Sequence, residues 1–159
     1  MTVTIRPAAP ADAGHILRFI SELAEYEKLG HEATASAADI ERDFFGAEPK
    51  VFCEIAEWNG EPVGFAVWFY TFSTFQGRYG IWLEDLFVRP QMRGKGIGKV
   101  LLAELARRCV EEGLGRLEWW VLDWNEPSIE FYKAQGGTMM DEWTKVRVDG
   151  VALTALAAR

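Results

Sequence analysis

The 159 residues suffice for one domain with a sizeable hydrophobic core. Apolar residues make up 49% of the chain and aromatics 13%, which excludes a disordered or low-complexity protein. A net charge of −7 argues against general nucleic-acid binding, which needs basic surface to displace counterions, and is compatible with a small cationic substrate.

The elements read as follows along the chain. Thr2 to Arg6 forms a short strand ended by Pro7 and Pro10. From Asp12 to Glu27, Ile16, Leu17, Ile20, Leu23 and Ala24 recur as one helical stripe. Ala37 to Phe45 is a second helix, with Ser36 and Asp39 spaced as a capping pair. Val51 to Trp58 and Val63 to Tyr70 flank Asn59-Gly60, a two-residue hairpin signal. Tyr79 to Val88 is a strand, and residues 96–112 form a long helix stopped by Gly113 and Gly115. Leu117 to Leu122 is rich in β-formers, and Asn125 caps a helix whose first turn holds Pro127. Trp143 to Val148 and Val151 to Leu156 flank Asp149-Gly150, a second hairpin signal. The order βααβββαβαββ predicts one α/β domain over 1–159, with a mixed sheet and helices on its faces.

No apolar run approaches the ~18 residues of a membrane span. A basic region followed by an apolar stretch is missing from the N-terminus, so the expected compartment is the cytoplasm. Cys53 and Cys109 are isolated and have no metal-ligand spacing, so neither a disulfide framework nor a metal site is expected.

Between Ile81 and Val88 every residue is apolar except Glu84 and Asp85. A regular strand sends Glu84 to one face with Trp82, and Asp85 to the other with Leu83 and Phe87. An ionised carboxylate is costly to bury alone. Either a salt bridge or backbone N–H groups compensate it, or the strand bulges and the acids line a cleft.

The loop that follows, Arg93-Gly94-Lys95-Gly96-Ile97-Gly98-Lys99, opens the long helix. Glycines at a helix start let backbone N–H groups converge on an anion, to which the helix dipole adds positive potential. The Walker pattern does not fit, and the dinucleotide fingerprint meets Lys99 where its third glycine belongs. A third pattern, Arg/Gln-x-x-Gly-x-Gly/Ala, is satisfied by Arg93, Gly96 and Gly98. It resembles the diphosphate loop of the GNAT superfamily of N-acetyltransferases, which bind acetyl-CoA. That resemblance implies a mostly antiparallel central sheet of six to seven strands with helices on both faces.

Tyr132 lies one turn after Ser128 on the helix opened by Asn125. A phenol of pKa near ~10 is protonated at neutral pH and can supply a proton to a departing thiolate.

Along its whole length the chain is similar to the diamine (spermidine/spermine) branch of that superfamily, including the relatives that act on thialysine. Four words carry the match: Leu23-Ala24-Glu25-Tyr26-Glu27-Lys28-Leu29, Leu83-Glu84-Asp85, the glycine loop, and Val121-Leu122-Asp123-Trp124-Asn125-Glu126-Pro127-Ser128 with Phe131-Tyr132-Lys133. The resemblance implies that Tyr132 is the general acid and that Glu84 binds the substrate ammonium and helps remove its proton. Leu86, Phe87 and Val88 would offer backbone groups to the pantetheine arm. Arg93 and Gly94 through Lys99 would hold the diphosphate, and Asn125 and Ser128 would contact the cofactor. Tyr26, Glu27 and Asp85 would line the amine site. A homodimer acting on a small amine without a metal, a nucleic acid or a membrane is implied as well. A peptide acetyltransferase and a non-catalytic CoA-binding module are the alternative readings. The loop Phe72-Ser73-Thr74-Phe75-Gln76-Gly77 lacks the Asp-Pro-Trp of the spermidine/spermine enzymes. This departure favours a short diamine, thialysine or a lysine-like amine over long polyamines.

Overall fold

The computed structural model describes residues 2–159. Two compact units make up the chain, the first ending at Leu122 and the second running from Asp123 to Arg159. The first holds β1 (Val3–Pro7), α1 (Ala13–Tyr26), α2 (Ala37–Phe45), β2 (Phe52–Trp58), β3 (Glu61–Ser73), β4 (Arg78–Val88), α3 (Ile97–Glu112) and β5 (Leu117–Glu118). The strands form one sheet in the order β1-β2-β3-β4-β5, antiparallel as far as β4, with β5 parallel to β4.

Local signals account for the boundaries. Ser36 Oγ accepts from the Asp39 amide while Asp39 Oδ2 accepts from the Ser36 amide, closing the expected capping box on α2. Asn59 and Gly60 take φ of 51° and 85°, the left-handed pair that a tight β2–β3 hairpin requires.

Helices cover both faces of the sheet. Ile16 and Phe19 of α1 and Ile40 of α2 pack on Cys53, Ile55, Phe65, Val67 and Phe87. Phe19 is fully buried, with its ring 5.3 Å from that of Phe65 and 6.2 Å from that of Phe87. On the opposite face, Arg108 of α3 pairs with the buried Glu54 at 3.1 Å and lies over the Trp68 ring at 4.9 Å. Arg89, just beyond β4, pairs with Glu22 at 3.5 Å and lies over Phe19 at 5.2 Å. That contact ties the last turns of α1, and with them Tyr26 and Glu27, to the end of β4.

The β3–β4 ladder carries a bulge at the two acids. Val67 pairs with Asp85, but Trp68 pairs with Leu83, so Glu84 is the surplus residue. The regular alternation is thereby broken. Leu83 shares a face with Trp68 under α3, whereas Asp85 and Phe87 share the α1 face with Val67 and Phe65. Glu84 itself is exposed.

The sheet has five strands among the described residues, not six to seven. β5 keeps only Leu117 and Glu118 of the expected Leu117–Leu122. In the second unit, α4 (Glu126–Ala134) starts as expected, with Asn125 Oδ1 accepting from the Ser128 amide at 3.4 Å. The expected hairpin after it does not form: Gly150–Ala157 is a helix, α5, with Asp149 as its N-cap residue. Ala152, Ala155, Ala157, Leu153 and Leu156 are strong helix formers, and their propensity outweighs the turn preference of Asp149-Gly150. Without a partner strand, residues 143–148 have no ladder to join within that unit and remain irregular.

Candidate active site

The glycine loop is built as a cradle. Pro90–Met92 forms one 3-10 turn, Arg93 is extended, and Gly94 and Gly96 both take φ of 79°. Only glycine adopts this backbone without strain, and no atom lies within 4 Å of where a Cβ would stand at either position. Gly96 is the N-cap residue of the 16-residue α3, and no side chain caps that helix. The first amide groups of α3, at Ile97, Gly98 and Lys99, thus have no intrahelical acceptor and stand at the positive end of the dipole. An anionic diphosphate fits this donor set. Nearby, the Lys95 ammonium lies 5.3 Å from the Trp58 ring centroid.

Upstream, β4 pairs with β5 only at Ile81 and Trp82. Beyond Trp82 that edge of β4 has no partner strand among the described residues, leaving it open along Leu86, Phe87 and Val88 for an extended ligand. Arg93 joins this edge to the loop. Its Nε donates to the Val88 carbonyl at 3.1 Å, and its guanidinium lies over Tyr26 at 4.7 Å and over Phe87 at 5.7 Å.

Three carboxylates gather beside this edge. The half-buried Asp85 has its pKa pushed up to about 7, first by burial and then by the charges of Glu84 and Glu27. Burial raises the Glu27 carboxyl as well. A cluster that resists holding several negative charges is one that a cation relieves. Glu84, exposed in the bulge, accepts from Trp82 Nε1 at 3.0 Å. Sequence reasoning gave Trp82 no role, although its place two residues before Glu84 was a usable signal.

Tyr26, Glu27, Glu84, Asp85, Leu86, Phe87, Val88, Arg93 and the glycine loop through Lys99 all belong to the first unit. Asn125, Ser128 and Tyr132 belong to the second, where Asn125 is buried at the start of α4 and Tyr132 follows Phe131 at a ring distance of 5.5 Å. Both cysteines are buried and free, and burial holds the Cys53 thiol well above its usual range, so neither is an activated nucleophile. Among the described residues no His/Cys/Asp/Glu group is arranged to hold a metal, and no helix is long and apolar enough to cross a membrane.

Residues 17–136 match the model of the acetyltransferase (GNAT) family. The thialysine N-epsilon-acetyltransferase of Bos taurus is 39% identical over 168 residues, covering 99% of this chain and 98% of its own. The Caenorhabditis elegans protein of the same name is 34% identical, covering 93% and 92%. An integron cassette protein from the mobile metagenome of V. cholerae superposes with a TM-score of 0.83 at 28% identity, covering 100% of this chain and 99% of its own. The chain belongs to the GNAT acetyltransferase family, in its diamine and thialysine branch, and is an acetyltransferase.

Proposed function

We propose that this protein transfers the acetyl group of acetyl-CoA to the primary amine of a small cationic substrate, such as a short diamine, thialysine or a lysine-like amine, by direct attack. The observation that carries this reading is the carboxylate cluster of Glu27, Glu84 and Asp85 beside an open strand edge that leads into an anion-binding helix start. Its relatives add support: besides the thialysine enzymes, an L-ornithine N5-acetyltransferase of Arabidopsis thaliana is 28% identical over 96% of this chain.

Each group then has a task. Backbone amides of Gly94 to Lys99, with Arg93, hold the diphosphate, and Leu86, Phe87 and Val88 line the pantetheine arm and offer an N–H to the thioester carbonyl. Asn125 and Ser128 contact the cofactor, the role that the family resemblance gives them. Acetyl-CoA supplies the activated acyl group. Tyr26, Glu27 and Asp85 receive the amine. An alkylammonium of pKa near ~10.4 must lose its proton before it attacks, and Glu84 helps take that proton through water. Tyr132 then donates a proton to the departing thiolate.

The same reading makes the whole chain one acetyltransferase domain that works as a homodimer in the cytoplasm, without metal, nucleic acid or membrane.

Thiol release from acetyl-CoA, measured against diamines, thialysine, lysine analogues and peptides, tests the activity. Turnover with the small amines is the expected result. Turnover with peptides alone would make the protein a peptide acetyltransferase, and coenzyme binding with no turnover would make it a binding module. In the same assay Glu84→Gln lowers kcat/KM for the amine by about tenfold, the worth of one charged hydrogen bond, and leaves acetyl-CoA affinity unchanged. Equal losses in both would give Glu84 a structural role.

A further inference from the structure

The bulge leaves Glu84 with little to hold it. Its backbone is skipped in the β3 ladder, and on the other edge the pairing with β5 stops two residues earlier. Trp82 is the last residue of β4 held on both sides, opposite Phe69 on β3 and Glu118 on β5. Its indole N–H crosses the gap to Glu84 Oε2 at 3.0 Å. Trp120 braces the ring edge-on, with centroids 4.8 Å apart and planes at 84°. A rigid, anchored ring therefore reaches forward to a flexible carboxylate and occupies one of its oxygens. Oε1 accepts no hydrogen bond from the described residues and is left free.

We propose that Trp82 is a positioning residue for the acetyl transfer: its indole N–H fixes the rotamer of Glu84 so that the second carboxylate oxygen faces the incoming amine. This rests on the reading of Glu84 as the group that meets the ammonium. Glutamate has three rotatable side-chain bonds, and a donor that removes that freedom beforehand spares the amine complex the ordering cost. Trp120 serves the same end indirectly by holding the ring.

Trp82→Phe removes the N–H and keeps an aromatic ring against Trp120. The measurement is a double-mutant cycle with Trp82→Phe, Glu84→Gln and both, reading kcat/KM for the amine and acetyl-CoA affinity by calorimetry. Trp82→Phe alone lowers amine kcat/KM by about three- to tenfold, the range for one lost hydrogen bond, with coenzyme affinity within twofold of the parent. Added to Glu84→Gln it causes no further loss. A loss that persists in full in the Glu84→Gln background, or that takes coenzyme affinity with it, marks Trp82 as a packing residue and overturns the proposal. An unaltered Trp82→Phe beside an impaired Glu84→Gln overturns the positioning role and leaves the role of Glu84 standing. An unimpaired Glu84→Gln removes both.

Discussion

Replacing Tyr132 by phenylalanine is expected to lower kcat about 10²–10⁴-fold, the usual range for a lost general acid, while acetyl-CoA affinity stays near that of the parent. The physical ground is a mismatch of proton affinities. The departing thiolate has a conjugate acid of pKa near ~8.5, so it leaves more readily when a neighbouring donor shares its charge, and a phenol near ~10 keeps its proton until then. Phenylalanine preserves the ring beside Phe131, the carbonyl that accepts from Gly137 and the course of α4, so folding is little disturbed. Single-turnover thiol release, measured with calorimetry of coenzyme binding, separates chemistry from affinity. Full turnover in this variant with coenzyme bound would remove Tyr132 from the acid role.

Asp85→Asn is expected to stabilise the fold and to damage catalysis together. The sign follows from linkage. In the unfolded chain the carboxyl ionises near ~3.8, whereas in the fold it does so at about 7. Below the lower value both states are protonated and nothing is lost. As pH rises from there to about 7 the unfolded state releases its proton first, so stability falls and levels off above the folded pKa. The accumulated cost at pH 8 is about 4 kcal/mol, and by pH 5 less than half of it has been incurred. Asparagine keeps the shape without the charge. Its thermal midpoint exceeds that of the parent by several degrees at pH 8 and by much less at pH 5. Meanwhile kcat/KM for the amine falls about 10–100-fold, because an ammonium loses a charged partner worth about 1.5–3 kcal/mol. A midpoint gain that does not vary with pH would show that Asp85 is not a strained acid in the folded protein.

Signals confined to a few neighbouring residues were the most legible. Ser36 with Asp39, and Asn59 with Gly60, each decide a backbone geometry within one turn, and both stand as read. The paired acids in an apolar strand left two outcomes open, compensation by a partner or a bulge, and the strand takes the bulge. Local reasoning failed where two local preferences competed. Asp149-Gly150 invites a hairpin, yet the alanines and leucines that follow favour helix, and no ladder was available to decide for strand. Least legible were contacts between distant segments. Nothing near Glu27 announces that it feels Asp85, and nothing near Arg93 announces that it covers Tyr26; both depend on α1 lying along β4. Only the resemblance to the family implied a shared role for these residues.

The surplus residue in β4 does more than free a carboxylate. In an unbroken ladder Glu84 would stand opposite Trp68, beneath α3, where Glu54 already holds Arg108. Two acids would then contend for one guanidinium in a dry layer. With one residue of slack, leucine fills that slot and the acid is turned out to water. A single added residue thus lets a strand keep its apolar contact with Trp68 and still hold a charge in water beside it.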